Sequence, residues 1–367
     1  MEEKKRVQFI DMVKGLTILS VAIYHIIAPG MFRTFFAGTI GSMFFSFFFF
    51  SGYFYSPGKH PIGESLKSRT KSLLGPFFSC SIGFWIVGSI ILIAQGAETF
   101  LDAVCCLRNF YAGSIWNRTI QDLFSWDYHS LGKNYPFLAD FWFLPALFFA
   151  SIVFILLIEK VATTLPKQIA SIVLLLLITG ILRAFTISLP YNLQIVPFYA
   201  SFLILGYICR KQAVFDKFSG AKAWIIGILI SVLTLGFSAY FGYGTNLFRG
   251  TFEEPEPLIM VFEFALGTAC ILGLSVLCKQ IEDTGINVDS LAYLGSHSIY
   301  LYMYHVFIAW IICRFTGFSM RYDPETMTVD TFEKSLLLAI VSIAISIAIS
   351  VMNDKGMFNF LKKTDKA

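Results

Sequence analysis

Charge is what this sequence lacks. Only 14% of its 367 residues are Asp, Glu, Lys or Arg, against about 25% in an average soluble domain. Hydrophobic residues make up 56%, and mean hydropathy is +0.69. This composition excludes a soluble globule and fits a polytopic membrane protein with no separate soluble domain. The seven cysteines have no metal-ligand spacing and no even-numbered framework. Most of them read as small apolar packing residues; the adjacent Cys105 and Cys106, in a loop, keep a reactive pair as the alternative. No internal repeat is visible. A cleaved leader is not expected either, because the apolar run after MEEKKR is too long and polar groups interrupt it.

What is present is a series of long apolar runs. A span needs about 20 predominantly apolar residues. Ten candidates lie near 9–29, 36–56, 72–95, 139–159, 167–187, 191–209, 223–243, 257–278, 290–313 and 335–353. With the N-terminus in the cytoplasm, the inner segments hold 18 of the 28 Lys and Arg residues and the outer segments 8. That bias follows the positive-inside rule. The expected fold is an all-α membrane bundle of about ten transmembrane helices. Both termini are cytoplasmic, and residues 1–367 form one domain. The longest connection, 96–138, falls outside and carries Tyr111, Trp116, Trp126, Tyr128 and His129. Such a loop suits carbohydrate contact and, equally, a position on lipid headgroups. A second acidic outer loop, FRGTFEEPEPL, follows the seventh span.

Ionisable groups inside spans are costly and mark function by default. The first span, FIDMVKGLTILSVAIYHII, carries Asp11, Lys14 and His25. At 100° per residue, Lys14 and His25 fall within about 20° of each other, and Asp11 within about 60° of both. The three share a face, with Lys14 and His25 about 16 Å apart along the axis. A local Asp11–Lys14 ion pair with a snorkelling lysine is the bland alternative, as is a carbonyl partner for His25. His305, in SHSIYLYMYHVFI with Tyr302, sits at a depth similar to that of His25. Imidazole is the side chain best suited to moving protons near neutral pH. Lys67, Arg69 and Lys71, in KSRTKSLLGPFF, could grip phosphate groups; they equally meet the positive-inside rule or anionic headgroups. ADFWFLPALFF contributes Asp140 and Trp142, and the isolated Glu263 in VFEFALG is a further site candidate, as Arg183 is a snorkelling one.

The opening RVQFIDMVKGLTILSVAIYHI resembles the first span of the acyltransferase-3 family of integral membrane acyltransferases, in which a basic residue, ten residues and a histidine follow an Asp. Lys14 and His25 fit that spacing. The likeness continues in order through FFFFSGYFYS, SRTKSLLGPFF, FWFLPALFF, FYASFLILGYICRK and LGSHSIYLYMYH, nearly the whole chain.

The resemblance implies an O-acyltransferase of the plasma (bacterial inner) membrane. It would move an acyl group, usually acetyl, from cytoplasmic acetyl-CoA or another acyl-CoA to a hydroxyl of a cell-surface glycan or glycolipid. His25 and Lys14 take the essential positions, with Asp11 orienting Lys14 and His305 orienting His25 or assisting the leaving thiolate. Arg69 matches the first of a basic pair; Ser72 stands at the second, leaving Lys67 or Lys71 to substitute. Trp142, Asp140, Glu263 and Tyr302 are expected on the substrate. Membrane lipids are expected partners; no metal and no nucleic acid is expected. Direct transfer and a covalent acyl-enzyme both remain open. The rival reading is a secondary transporter or flippase of a glycan or lipid intermediate, against which stands the lack of inverted repeats with broken helices.

Overall fold

The computed structural model of the chain describes residues 7–27, 31–115, 135–187, 189–241, 257–316 and 330–355. Trp116, Trp126, Tyr128, His129 and most of the acidic 248–258 loop lie outside the described residues, as do Lys4, Lys5 and Arg6. Among the described residues the regular structure is helical, without strands. A bilayer core offers no hydrogen-bond partners, so a spanning segment must pair its backbone within itself. The long apolar runs do so as helices. In chain order these are α1 (Gln8–Ile26), α2 (Met31–Met43), α3 (Ser46–Tyr53), α4 (Ile62–Ala94) and α5 (Phe100–Ile115). They continue as α6 (Phe143–Lys160), α7 (Leu165–Ala184), α8 (Val196–Lys211), α9 (Gly220–Phe241) and α10 (Pro257–Asp283). The last are α11 (Asp289–Ser296), α12 (Ser298–Thr316) and α13 (Asp330–Asp354).

Nine helices of the described residues are long and apolar enough to cross a membrane: α1, α4, α6 to α10, α12 and α13. The tenth expected span, 36–56, is instead the shorter α2–α3 pair, broken at Phe44 and Phe45. The 96–138 connection is not irregular throughout, because α5 occupies Phe100–Ile115. Its start is a capping box. The Asp102 carboxylate accepts from the Thr99 amide at 3.0 Å, and the Thr99 hydroxyl accepts from the Asp102 amide at 3.2 Å. The bonds from the Thr99 hydroxyl and amide hold the Asp102 carboxyl below its ordinary range.

Two irregularities position the site. In α4, Thr70–Leu74 form a π-helical turn directly after Arg69. Pro76 has no N–H to give the carbonyl four residues back, and its ring crowds that carbonyl, so the helix widens there. The expected span at 290–313 breaks at His297 into α11 and α12. His297 Nε2 lies 3.0 Å from Asp354 Oδ2, and Nδ1 3.0 Å from the Tyr293 carbonyl. The Tyr293 hydroxyl also donates to Asp354 at 3.0 Å, so the break is tied to the end of α13.

Small residues let helices approach closely where lipid supplies no hydrophobic drive. A side chain on Gly15 would strike the Leu291 carbonyl, and one on Gly295 the Asp11 carbonyl, so α1 and α11 meet backbone to backbone beside Lys14. Gly52 and Gly206 do the same for α3 against α8. Aromatic rings fill the rest of that interface: Phe45 stacks on Phe202 with centroids 4.6 Å apart and Phe48 on Tyr199 at 4.2 Å.

Candidate active site

α1 delivers three ionisable side chains to one side of a single helix. At one end, Lys14 Nζ lies 3.4 Å from Asp11 Oδ1, the local pair that their spacing allows. Three turns on, His25 Nδ1 lies 3.0 Å from His305 Nε2 of α12. The two ring planes are 11° apart. His305 is fully buried, and His25 partly so.

The acceptors around the pair define its protons. His305 Nδ1 is 2.7 Å from the Leu301 carbonyl, one turn back on α12. A carbonyl only accepts, so Nδ1 carries the hydrogen. The Nε2 of neutral His305 is then an acceptor, and His25 Nδ1–H must donate to it. The lone pair of neutral His25 therefore sits on Nε2, the atom a general base would use.

An apolar cavity of about 230 Å³ runs along α1 from Lys14 to Val21, about 10 Å of helix axis. Its walls come from α2–α3 (Phe44, Phe47, Phe50, Ser51, Phe54), α6 (Phe143, Leu144, Leu147) and the start of α12 (Ser298, Ile299, Tyr302), with Leu73 of α4. Val21 is one turn before His25, and Tyr302 one turn before His305. The far end of the cavity thus lies one turn short of the imidazole pair.

A second, polar chamber of about 440 Å³ meets the cavity at Phe54. Lys59, His60, Glu64 and Arg69 line it, with Ser56, Ser65 and Ser68, and His60 Nδ1 lies 3.8 Å from Glu64 Oε2. Phe54 belongs to the walls of both spaces and is 47% exposed. Arg69 Nη2 reaches the Ser51 carbonyl at 3.4 Å, joining the chamber to the turn that lines the cavity. The loop after Phe54 is clamped by Glu159 of α6, which accepts from the Tyr55 hydroxyl at 2.6 Å and the Gly58 amide at 3.0 Å. Gly58 has φ +72°, a left-handed conformation that favours glycine. Burial, reinforced by the Glu159 hydrogen bond, raises the Tyr55 phenol above its ordinary range, so it stays a donor.

The expected site residues divide. Asp11, Lys14, His25, His305, Tyr302 and Arg69 gather around the cavity, its two ends and the chamber. Lys67 and Lys71 are exposed and line neither space. Lys59 and His60 stand in the chamber with Arg69 instead. Trp142 packs beside the cavity against Phe44, at 5.5 Å, without lining it. Asp140 falls in a 3₁₀ turn at Asp140–Trp142, and its side chain lies outside what is described. Glu263 is buried on α10, away from both spaces, in the field of the buried Arg183. Among the described residues, no group of three or more His, Cys, Asp or Glu side chains converges as a metal site would.

Ser51, Phe54, Lys59, His60 and Glu159 were not among the expected site residues. Only SGYFY and the turn glycine Gly58 hinted at a special turn there.

A family model described as an acyltransferase domain matches residues 7–352. No curated protein and no solved structure matches the chain.

Proposed function

Since the chain belongs to the acyltransferase-3 family, whose domain covers nearly all of it, it is a multi-pass membrane acyltransferase, and we propose that it carries acetyl from cytoplasmic acetyl-CoA to a hydroxyl of a surface glycan or glycolipid. The observation that carries this reading is the imidazole pair one turn beyond an apolar cavity that adjoins a polar chamber bearing Arg69 and Lys59.

In this reading the Lys14 end faces the cytoplasm. The nucleotide phosphates rest in the chamber against Arg69 and Lys59, where guanidinium and ammonium groups suit them. The pantetheine arm passes Phe54 and extends through the cavity toward the histidines. That route covers most of the 16 Å between Lys14 and His25, and so favours direct transfer over an acyl-enzyme. Lys14, held by Asp11, adds positive potential at the cavity mouth.

The acceptor hydroxyl approaches from the opposite face. His25 Nε2 takes its proton as the oxygen attacks the thioester carbonyl. The new C–O bond forms, the tetrahedral intermediate collapses, and the C–S bond breaks. His25 returns the proton to the leaving thiolate. His305 accepts from His25 Nδ1–H throughout, fixing the ring's tautomer and favouring its cationic form. Tyr302 lies nearest the thioester. Trp142 and Asp140 are the acceptor-side residues.

Purified protein incubated with radiolabelled acetyl-CoA and a panel of surface glycans tests the proposal. Label should pass to a glycan hydroxyl with wild-type protein and not with His25→Ala. Label that stays on CoA with every acceptor, or equal transfer by the variant, contradicts it.

A further inference from the structure

Ser51 differs from the other serines of the bundle. A helical serine buried in lipid or protein ordinarily donates to the carbonyl one turn back. Ser20, Ser79, Ser151, Ser171, Ser275 and Ser346 all do so. The Ser51 hydroxyl is buried and has no hydrogen-bond partner. Ser231 and Ser342 share that lack, but neither lines the cavity or the chamber; Ser51 lines the cavity. A buried hydroxyl left unpaired costs free energy, and each such group in a native fold asks for an explanation.

The backbone behind it is held in place. Gly52, the next residue, lies so close to the Leu203 backbone that no side chain fits there. Gly206 meets the Phe49 carbonyl in the same way. The Ser51 carbonyl is engaged by Arg69. The backbone of this turn is therefore held on two sides. Ser51 shares a face of α3 with Phe47 and Phe54, at the helical spacing of i−4 and i+3, and all three line the cavity.

The surroundings select the ligand chemistry. A plain alkyl chain would fill these walls and leave the hydroxyl unpaired. A strongly charged group would lose its hydration against Phe44, Phe47, Phe50 and Leu147. An apolar chain interrupted by an amide meets both demands, because a hydroxyl can donate to the amide oxygen or accept from its N–H. We infer that Ser51 recognises an amide of the donor's pantetheine arm and thereby selects donors with such an arm over amide-free thioesters. This rests on the donor route proposed above.

The test is equilibrium binding to the full chain in detergent with three probes: coenzyme A, pantetheine, and adenosine 3′,5′-bisphosphate, which has the nucleotide phosphates but no arm. Ser51→Ala should weaken coenzyme A and pantetheine about tenfold and leave the bisphosphate unchanged; Ser51→Thr, which keeps the hydroxyl, should restore both. Unaltered coenzyme A binding by Ser51→Ala overturns the assignment. So does an equal loss with all three probes, which would mark a structural role. Wild-type protein that binds neither coenzyme A nor pantetheine refutes the donor route itself, and this inference with it.

Discussion

His25 Nδ1 and His305 Nε2 are 3.0 Å apart, and His305 Nδ1 is 2.7 Å from a backbone carbonyl. That chain of contacts assigns the proton on each ring and leaves the lone pair of His25 on Nε2. His25→Ala should lower kcat by about 10²–10⁴-fold, the usual worth of a general base, with protein yield unchanged. His305→Ala should cost about 10–100-fold, as loss of a group that orients a functional histidine does, with donor KM unaffected. His305→Gln, whose amide oxygen can still accept from His25 Nδ1–H, should recover part of the rate. Steady-state kinetics on the three variants checks this.

The same arrangement gives the rate its pH sense. Protonation of His25 Nε2 removes the base, so kcat should fall on the acid side. In His305→Ala the position of that acid limb should move, because the partner that steadies the imidazolium is gone. A limb that stays in place would mean that His305 acts through packing alone.

The chamber predicts which cations matter. Arg69→Ala should raise the donor KM by about 10–100-fold, since charge-assisted phosphate contacts are among the stronger hydrogen bonds. Lys59→Ala should raise it less, and both effects should shrink at high salt. Lys67→Ala and Lys71→Ala should leave the KM near that of wild type, because both side chains are exposed and line neither space.

Glu159 holds the loop that carries Phe54. Tyr55→Phe removes one of its two bonds and should cost about 1 kcal/mol of stability, read as a lowered Tm. Glu159→Ala removes both and should cost more. The Tyr55 phenol is raised in the folded state. Its contribution is therefore full below the phenol's ordinary range and is lost as pH rises through the raised value. The Tm difference between wild type and Tyr55→Phe should close in strong alkali.

Much of this was legible in the chain. Long apolar runs with cations biased to one side mark the spans, and the eleven-residue spacing puts Lys14 and His25 on one face of α1. Similar depth on another span made His305 a candidate, and only the packing of α12 on α1 brings it within 3.0 Å of His25. What hydropathy could not show is where the 36–56 run breaks, because Phe44–Phe45 sit in a stretch as apolar as any other; the break at His297 lies in the small, polar Gly295–Ser298 stretch. The Thr99–Asp102 capping box was readable and points to α5. The chamber was harder. Lys59 and Lys67 look alike as cations after a span, both are exposed, and only the fold of the 54–69 segment against α6 sets the first on the chamber wall and the second off it. The role of Ser51 depends on a hydroxyl that fails to bond its own helix, which no pattern of residue types reveals.

The central claim is that the donor's arm extends from the chamber through the cavity to His25. A structure with a non-transferable ketone analogue of acetyl-CoA bound tests it most directly. The account predicts the nucleotide against Arg69 and Lys59, the arm passing Ser51 and Phe54, and the ketone beside His25 Nε2. An analogue whose reactive carbonyl lies outside the cavity, or apart from the His25–His305 pair, would contradict it.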